Sequence, residues 1–321
     1  MREVILIPQL GRYELLFCCL KRIRAIEPKI EIHLFPDRGT FHEPVIQTMT
    51  KEFELHCHFV PDHDFFGNTS NVLNAYLWAF NAGYERIFYL ESDVMPHVDF
   101  FSWHRQQHEE FPDIFASMGW IFNRHAPIVD DLLFQSWLYS IGLCISRKKL
   151  ALIIEHATPK YFGDMAGYIG RTFPRSTFNK NYEIGNFAEQ DGLLQRIMER
   201  DKSQTVCPGI AKCSHVGFTR SYGGDTQEDY ERFLGLDGLR FDERVDRVEE
   251  FIADLYARAE VFSRAVVERE IGYVLPDRSF RYRIELDGGW SSEFTTELNI
   301  KRLPRRINSV CVDKSAKISV L

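Results

Sequence analysis

The sequence predicts an α/β fold: a mostly parallel sheet flanked by helices, followed by a helical and β-rich C-terminal extension. Three observations carry this expectation. Strand-type apolar runs alternate with segments of helical apolar spacing up to about residue 93, and right-handed crossovers turn such a rhythm into a parallel sheet. Ile87 to Leu90 is apolar without alternation, as expected of a strand covered on both faces. At 321 residues the chain also exceeds one ordinary domain. Its composition suggests a large domain over 1–225, a helical extension over 226–272 and a small β-rich, basic tail over 273–321.

The elements follow in order. Val4 to Ile7 reads as a strand, with Gly11 allowing a tight turn. Leu16, Leu20, Ile23 and Ile26 recur at helical spacing, and Pro28 ends that helix. Ile30 to Phe35 alternates as a strand and stops at Pro36-Asp37-Arg38-Gly39. A helix over about Pro44 to Glu52 precedes a third strand, Phe53 to Val60. After the loop Pro61 to Gly67, Asn68-Thr69-Ser70 caps a helix bearing Val72, Leu73, Tyr76, Leu77 and Phe80, which Gly83 stops. The strand from Arg86 then runs into Glu91-Ser92-Asp93 and closes at Pro96.

Later segments are less regular. Asp113 to Trp120 and Ser140 to Ile145 read as strands, the latter leading into a helix through Ile154. Residues 156–186, rich in Gly, Pro, Ser and Asn with interleaved aromatics such as Tyr161, Tyr168 and Phe173, read as a long functional loop. Glu189 to Arg200 is helical, and Cys207 to Arg220 is a short strand and loop. From Val245 to Val266 apolar residues step by three and four, giving either a helix packed on its own domain or a homodimer seam. Lys301 to Arg306 is a compact basic cluster.

Composition narrows the function. A net charge of −7 argues against a general nucleic-acid binder. No apolar run is long enough to span a membrane, and the N-terminus lacks a signal-peptide layout. Seven cysteines without a C-x-x-C pair fit reduced thiols and a cytoplasmic location. P-loop, G-x-G-x-x-G, H-E-x-x-H and G-x-S-x-G motifs are absent. Ser146 to Lys149 matches S-x-x-K without its companion motifs and reads as a charged helix start. Cys207, Cys213 and His215 are too loosely spaced for a zinc site, and a solvated sheet edge accounts for His56 and His58.

One set makes chemical sense together. Glu91 and Asp93 fall at the carboxyl end of a buried strand, where open α/β sheets place ligands. Two acids at a dry sheet edge need a cation or hydrogen bonds, although a solvated strand end is the plain alternative. With them stand Asp37 at an earlier strand end, and Asn68 and Asn71 at a loop–helix junction. Glu189-Gln190-Asp191 opens a later helix, and His215 follows it.

This set resembles the nucleotide-sugar-dependent glycosyltransferases of the Rossmann-like GT-A fold, above all the family-2-like inverting enzymes, over residues 3–220. The resemblance implies that Asp37 binds the nucleotide base and that Glu91-Ser92-Asp93 stands for the D-x-D motif, which contacts the ribose and holds Mn²⁺ or Mg²⁺ on the diphosphate. Asn68 and Asn71 would join the donor site, and His215 with Asp93 would complete the metal shell. Gln190-Asp191-Gly192-Leu193-Leu194-Gln195-Arg196 is similar to the family's E-D and x-x-L-x-x-R motif, which makes Asp191 the general base with Glu189 sharing the role. Glu91 and Gln190 depart from the pattern, and Q-x-x-R-W is missing, which counts against processive polymerisation. The implied donor is a nucleotide sugar, a UDP-sugar first. The implied acceptor is a glycan or polysaccharide-precursor hydroxyl, with hydroxymethylated pyrimidines of phage DNA second. A sugar-1-phosphate nucleotidyltransferase and a non-catalytic nucleotide-sugar or glycan-binding module are the rival readings.

Overall fold

The computed structural model describes residues 1–9, 11–37, 43–58, 67–120, 133–135, 138–173, 189–208, 211–215, 231–232, 234–253, 280–286, 290–296 and 317–320. The N-terminal units are β1 (Glu3–Gln9), α1 (Tyr13–Ile26), β2 (Glu31–Pro36), α2 (Glu43–Glu52), β3 (Leu55–Cys57), α3 (Asn68–Asn81) and β4 (Arg86–Tyr89). Then come β5 (Val94–Pro96), α4 (Phe100–Glu110), β6 (Ala116–Met118), β7 (Leu133–Gln135), β8 (Leu143–Ser146) and α5 (Arg147–Ile154). Two short helices, α6 (Pro159–Gly163) and α7 (Met165–Thr172), precede α8 (Gln190–Asp201), β9 (Thr205–Cys207) and β10 (Cys213–His215).

The expected α/β class is borne out. The main sheet runs β3-β2-β1-β4-β8-β6-β9-β7. Its first four strands are parallel, β6 and β9 are parallel, and β8 and β7 run against their neighbours. Alternate residues of β1 serve two cores. Ile5 and Ile7 meet α1, α2 and α4 on one face, whereas Val4 and Leu6 meet α3, α5 and α8 on the other. Both faces are therefore dry, which explains the uninterrupted apolar reading of Ile87 to Leu90.

Several expectations are corrected. The strand carrying the acids breaks: β4 ends at Tyr89, Glu91 to Asp93 form a turn closed by Val94 N–H on the Glu91 carbonyl (3.0 Å), and β5 starts a separate two-stranded sheet with β10. Two carboxylates in a dry ladder would be costly, and the turn brings them to the sheet's rim. The third strand spans only Leu55–Cys57. The segment read as one loop from 156 contains α6 and α7, opened by Thr158 with Pro159 and by Asp164 as side-chain caps. Tyr161 and Phe173, two of the aromatics interleaved in that segment, are buried in the core.

A helix covers residues 241–253, and Val245, Val248 and Ile252 are buried in the same core as α1. Arg244 joins Glu14 (2.6 Å) and Lys21 joins Glu249 (2.6 Å) across that contact. The heptad pattern thus packs on its own domain as far as residue 253. Residues 254–266, the loop 61–66 and the basic cluster 301–306 lie outside the described residues. A three-stranded antiparallel sheet, β11 (Phe280–Leu286), β12 (Trp290–Thr296) and β13 (Lys317–Val320), accounts for the β-rich reading of the tail. Among the described residues, no helix is long and apolar enough to cross a membrane.

Candidate active site

The carboxyl ends of β2, β1 and β4 lie side by side, because Gln9 pairs with Pro36 and Leu6 with Tyr89. Asp37, the Gly11-Arg12 turn and Glu91 therefore leave the sheet along one rim. The antiparallel β8 brings residues 138–142 to the same rim, since its first residue, Leu143, pairs with Tyr89. Gly142 makes this packing possible: it has φ +61°, and a Cβ there would sit 2.7 Å from Cys213 Sγ on β10.

Strand β10 delivers His215 to the acids by pairing it with Val94. His215 Nε2 lies 3.2 Å from Asp93 Oδ1 and 3.8 Å from Glu91 Oε2. One ligand atom from each of Glu91, Asp93 and His215 falls within 4.8 Å of the others. Arg12, left-handed at φ 49°, places its guanidinium 3.5 Å from Asp93 Oδ2. The Tyr89 hydroxyl donates to Glu91 Oε1 (3.2 Å) from two residues back on the chain.

The two carboxyls titrate in opposite directions. Burial, then the charges of Asp93 and Asp191, push Glu91 well above the usual carboxylate range, against the Tyr89 hydrogen bond. Burial would also raise Asp93, but the His215 imidazole and the Arg12 guanidinium hold it below its ordinary value. A proton on Glu91 is one way to neutralise the cluster; a divalent cation between the two acids and the imidazole is another. Carboxylate oxygens with one imidazole suit Mn²⁺ or Mg²⁺ by donor type, so the residues present fit such an ion.

Asp191 stands in the first turn of α8, after Glu189 at the N-cap. The Ser140 hydroxyl donates to its carboxylate, yet burial and the nearby Glu189 charge raise its pKa to about 6. Glu189 itself is exposed. Gln190, the departure from the acidic pattern, is buried and accepts a hydrogen bond from Thr69 Oγ1 (2.7 Å), which ties the start of α8 to the start of α3. Asn71 donates to the Phe35 carbonyl (2.6 Å), fastening α3 to the end of β2. The Asn71 amide hydrogen is thus engaged by the scaffold, whereas Asn68 is exposed at the first turn of α3. Asp37 is buried, and its N–H donates to the Gln9 carbonyl (2.8 Å).

The sequence singled out the acids, Asp191 and His215 but missed Arg12, Tyr89, Ser140 and Thr69. Arg12 and Tyr89 had a usable signal: Tyr89 ends the strand that leads to Glu91, and Arg12 follows the end of β1, as Asp37 follows that of β2. Ser140 had none, because its partner is far along the chain. The buried phenol of Tyr76 lies beside this region, its ring 5.7 Å from that of Tyr89.

No protein-family model matches the chain, and no curated protein does. Solved structures are similar to it. The crystal structure of S. aureus TarS 1-349 in complex with UDP-GlcNAc is 12% identical with a TM-score of 0.46, over 78% of this chain and 72% of that one. Mannosyltransferase PcManGT from Pyrobaculum calidifontis in complex with GDP-Man and Mn²⁺ is 12% identical with a TM-score of 0.43, over 80% of this chain and 75% of that one. Likenesses at this level carry no argument about activity, and the functional reading rests on the chain's own residues.

Proposed function

We propose that this chain is a metal-dependent, inverting glycosyltransferase of the GT-A type, moving a sugar from a nucleotide-sugar donor to an acceptor hydroxyl. The observation that carries the proposal is the convergence of Glu91, Asp93 and His215 at the rim where Asp191, with a pKa raised to about 6, also lies. Bound Mn²⁺ or Mg²⁺ would supply Lewis-acid stabilisation of the nucleoside diphosphate leaving group.

The chain's residues supply the rest. Asp93 and His215 would hold the cation, with Glu91, oriented by Tyr89, as the third ligand. Asp37 closes β2 where a nucleotide base would lie against the rim, with Asn68 at the adjoining helix start. Asp191 accepts the proton of the acceptor hydroxyl, and its raised pKa places it near working pH. Ser140 orients that carboxylate. Glu189, exposed at the N-cap of the same helix, shares the role of base. The domain limits 1–225, 226–272 and 273–321 and a cytoplasmic site of action belong to the same reading, as does a UDP-sugar as first donor. A glycan or polysaccharide precursor is the acceptor; Tyr161 and Phe173 are buried and present no ring face on which an extruded DNA base could stack.

The test is product analysis after mixing the full chain with a panel of nucleotide sugars, Mn²⁺ and candidate glycan acceptors, and in a parallel reaction with sugar 1-phosphates, nucleoside triphosphates and Mn²⁺. Release of a nucleoside diphosphate supports the proposal. Pyrophosphate release from a sugar 1-phosphate and a nucleoside triphosphate would replace it with a nucleotidyltransferase, and donor binding without turnover with a binding module.

A further inference from the structure

The sheet face beneath α3 carries a second group of metal-ligating side chains. The parallel register sets His33 on β2 beside His56 on β3. Glu31 lies two residues before His33 and His58 two after His56, so all four project from the same face. The His33 and His56 rings stack with centroids 4.6 Å apart. One ligand atom from each of Glu31, His33 and His56 falls within 4.8 Å of the others. The indole of Trp78 on α3 covers His33 at 4.1 Å between centroids.

The finer geometry sorts the nitrogens. His33 Nδ1 meets His58 Nε2 at 2.8 Å, and His33 Nε2 is turned to Glu31 Oε2 at 3.6 Å. With Nδ1 engaged by His58 as its outer partner, Nε2 is the nitrogen left to face a metal shared with the Glu31 carboxylate. The Tyr84 hydroxyl donates to the same Glu31 oxygen (2.5 Å), while Arg2 lies 3.9 Å from Oε1. Zn–N distances of about 2.0–2.1 Å put the ligands of a tetrahedral zinc about 3.4 Å apart. A closure of about an ångström therefore suffices, and the exposed Glu31 and His56 can rotate to provide it while His33 stays buried.

We infer that Glu31, His33 and His56 form a zinc site, with His58 as the outer hydrogen-bond partner of His33 and one coordination position open to water. Two imidazoles and a carboxylate are the borderline-soft donor set that Zn²⁺ prefers, unlike the oxygen-rich group at Asp93. The ion joins β3, the edge strand of the sheet, to β2. A strand of three residues has little ladder of its own, and a metal crosslink secures it. Sequence spacing left His56 and His58 as solvated residues because their ligand partners sit on a different strand.

The experiment uses the full chain carrying Asp93→Asn and His215→Ala, stripped with a chelator and titrated with Zn²⁺ against a chromophoric competitor. One equivalent is expected to bind and to raise the melting temperature. His56→Ala added to this background abolishes both effects, and His58→Ala weakens binding about 10–100-fold. Should the background variant not fold, His56→Ala alone lowers the zinc stoichiometry of the otherwise wild-type chain by one equivalent. Zero equivalents in the folded background, or binding unchanged by His56→Ala, overturns the site. Neither result depends on whether the chain transfers a sugar.

Discussion

His215 Nε2 and Asp93 Oδ1 stand 3.2 Å apart, joined by the pairing of the three-residue strands β5 and β10. That pairing makes one ligand group out of residues from distant parts of the chain. His215→Ala is expected to weaken Mn²⁺ binding by more than the roughly 10–100-fold typical of an outer-shell change. Calorimetric titration with and without nucleoside diphosphate checks it.

Asp191 is expected to set the acid limb of the pH–rate profile. Its pKa of about 6 means the base is largely protonated at pH 5 and free at pH 7, so kcat/KM rises through that interval. Asp191→Asn lowers kcat by about 10²- to 10⁴-fold and removes the limb.

The same shift has a stability consequence. A carboxyl whose folded pKa lies above its ordinary 3.8 stabilises the fold below that value, and this contribution is lost as pH rises through about 6. Above pH 7 the wild type therefore carries the cost of a buried carboxylate. Asp191→Asn, which keeps a neutral group against Ser140, is expected to gain roughly 1–3 kcal/mol at pH 8 and little at pH 4 in denaturant titrations.

Much of the fold was legible because it depends on local pattern. The apolar runs of β1, β2 and β4 and the stripe of α1 carry their own periodicity, and Glu91 with Asp93 announces itself as acid after an apolar run. Partners are not encoded that way. Nothing in the spacing of Leu143 to Ser146 says that β8 lies antiparallel between β4 and β6, and it is this placement that brings Ser140 to Asp191. Gln190 read as a defect in an acidic motif, since its meaning is a hydrogen bond to Thr69 on another helix. Residues 159–172 read as loop on their glycines, although Thr158-Pro159 and Asp164 are capping signals of ordinary kind.

Thr69→Val leaves Gln190 Oε1 buried without this donor and is expected to cost about 1–3 kcal/mol. Because the tie joins the starts of α3 and α8, the variant should also raise KM for the donor. Denaturant unfolding and steady-state kinetics measure the two effects.

Ile252→Ala opens a cavity against α1 and is expected to destabilise the chain by about 2–3 kcal/mol at any protein concentration. A destabilisation that disappears as protein concentration rises would indicate a dimer seam instead.

The central claim is that Glu91, Asp93 and His215 anchor the cation that carries the donor diphosphate. Electron paramagnetic resonance of Mn²⁺ titrated into the full chain with a nucleoside diphosphate tests it most directly. The account predicts a bound Mn²⁺ population that the diphosphate strengthens and that Asp93→Asn and His215→Ala each remove. Equal Mn²⁺ binding in the wild type and both variants, with the diphosphate still bound, would contradict it.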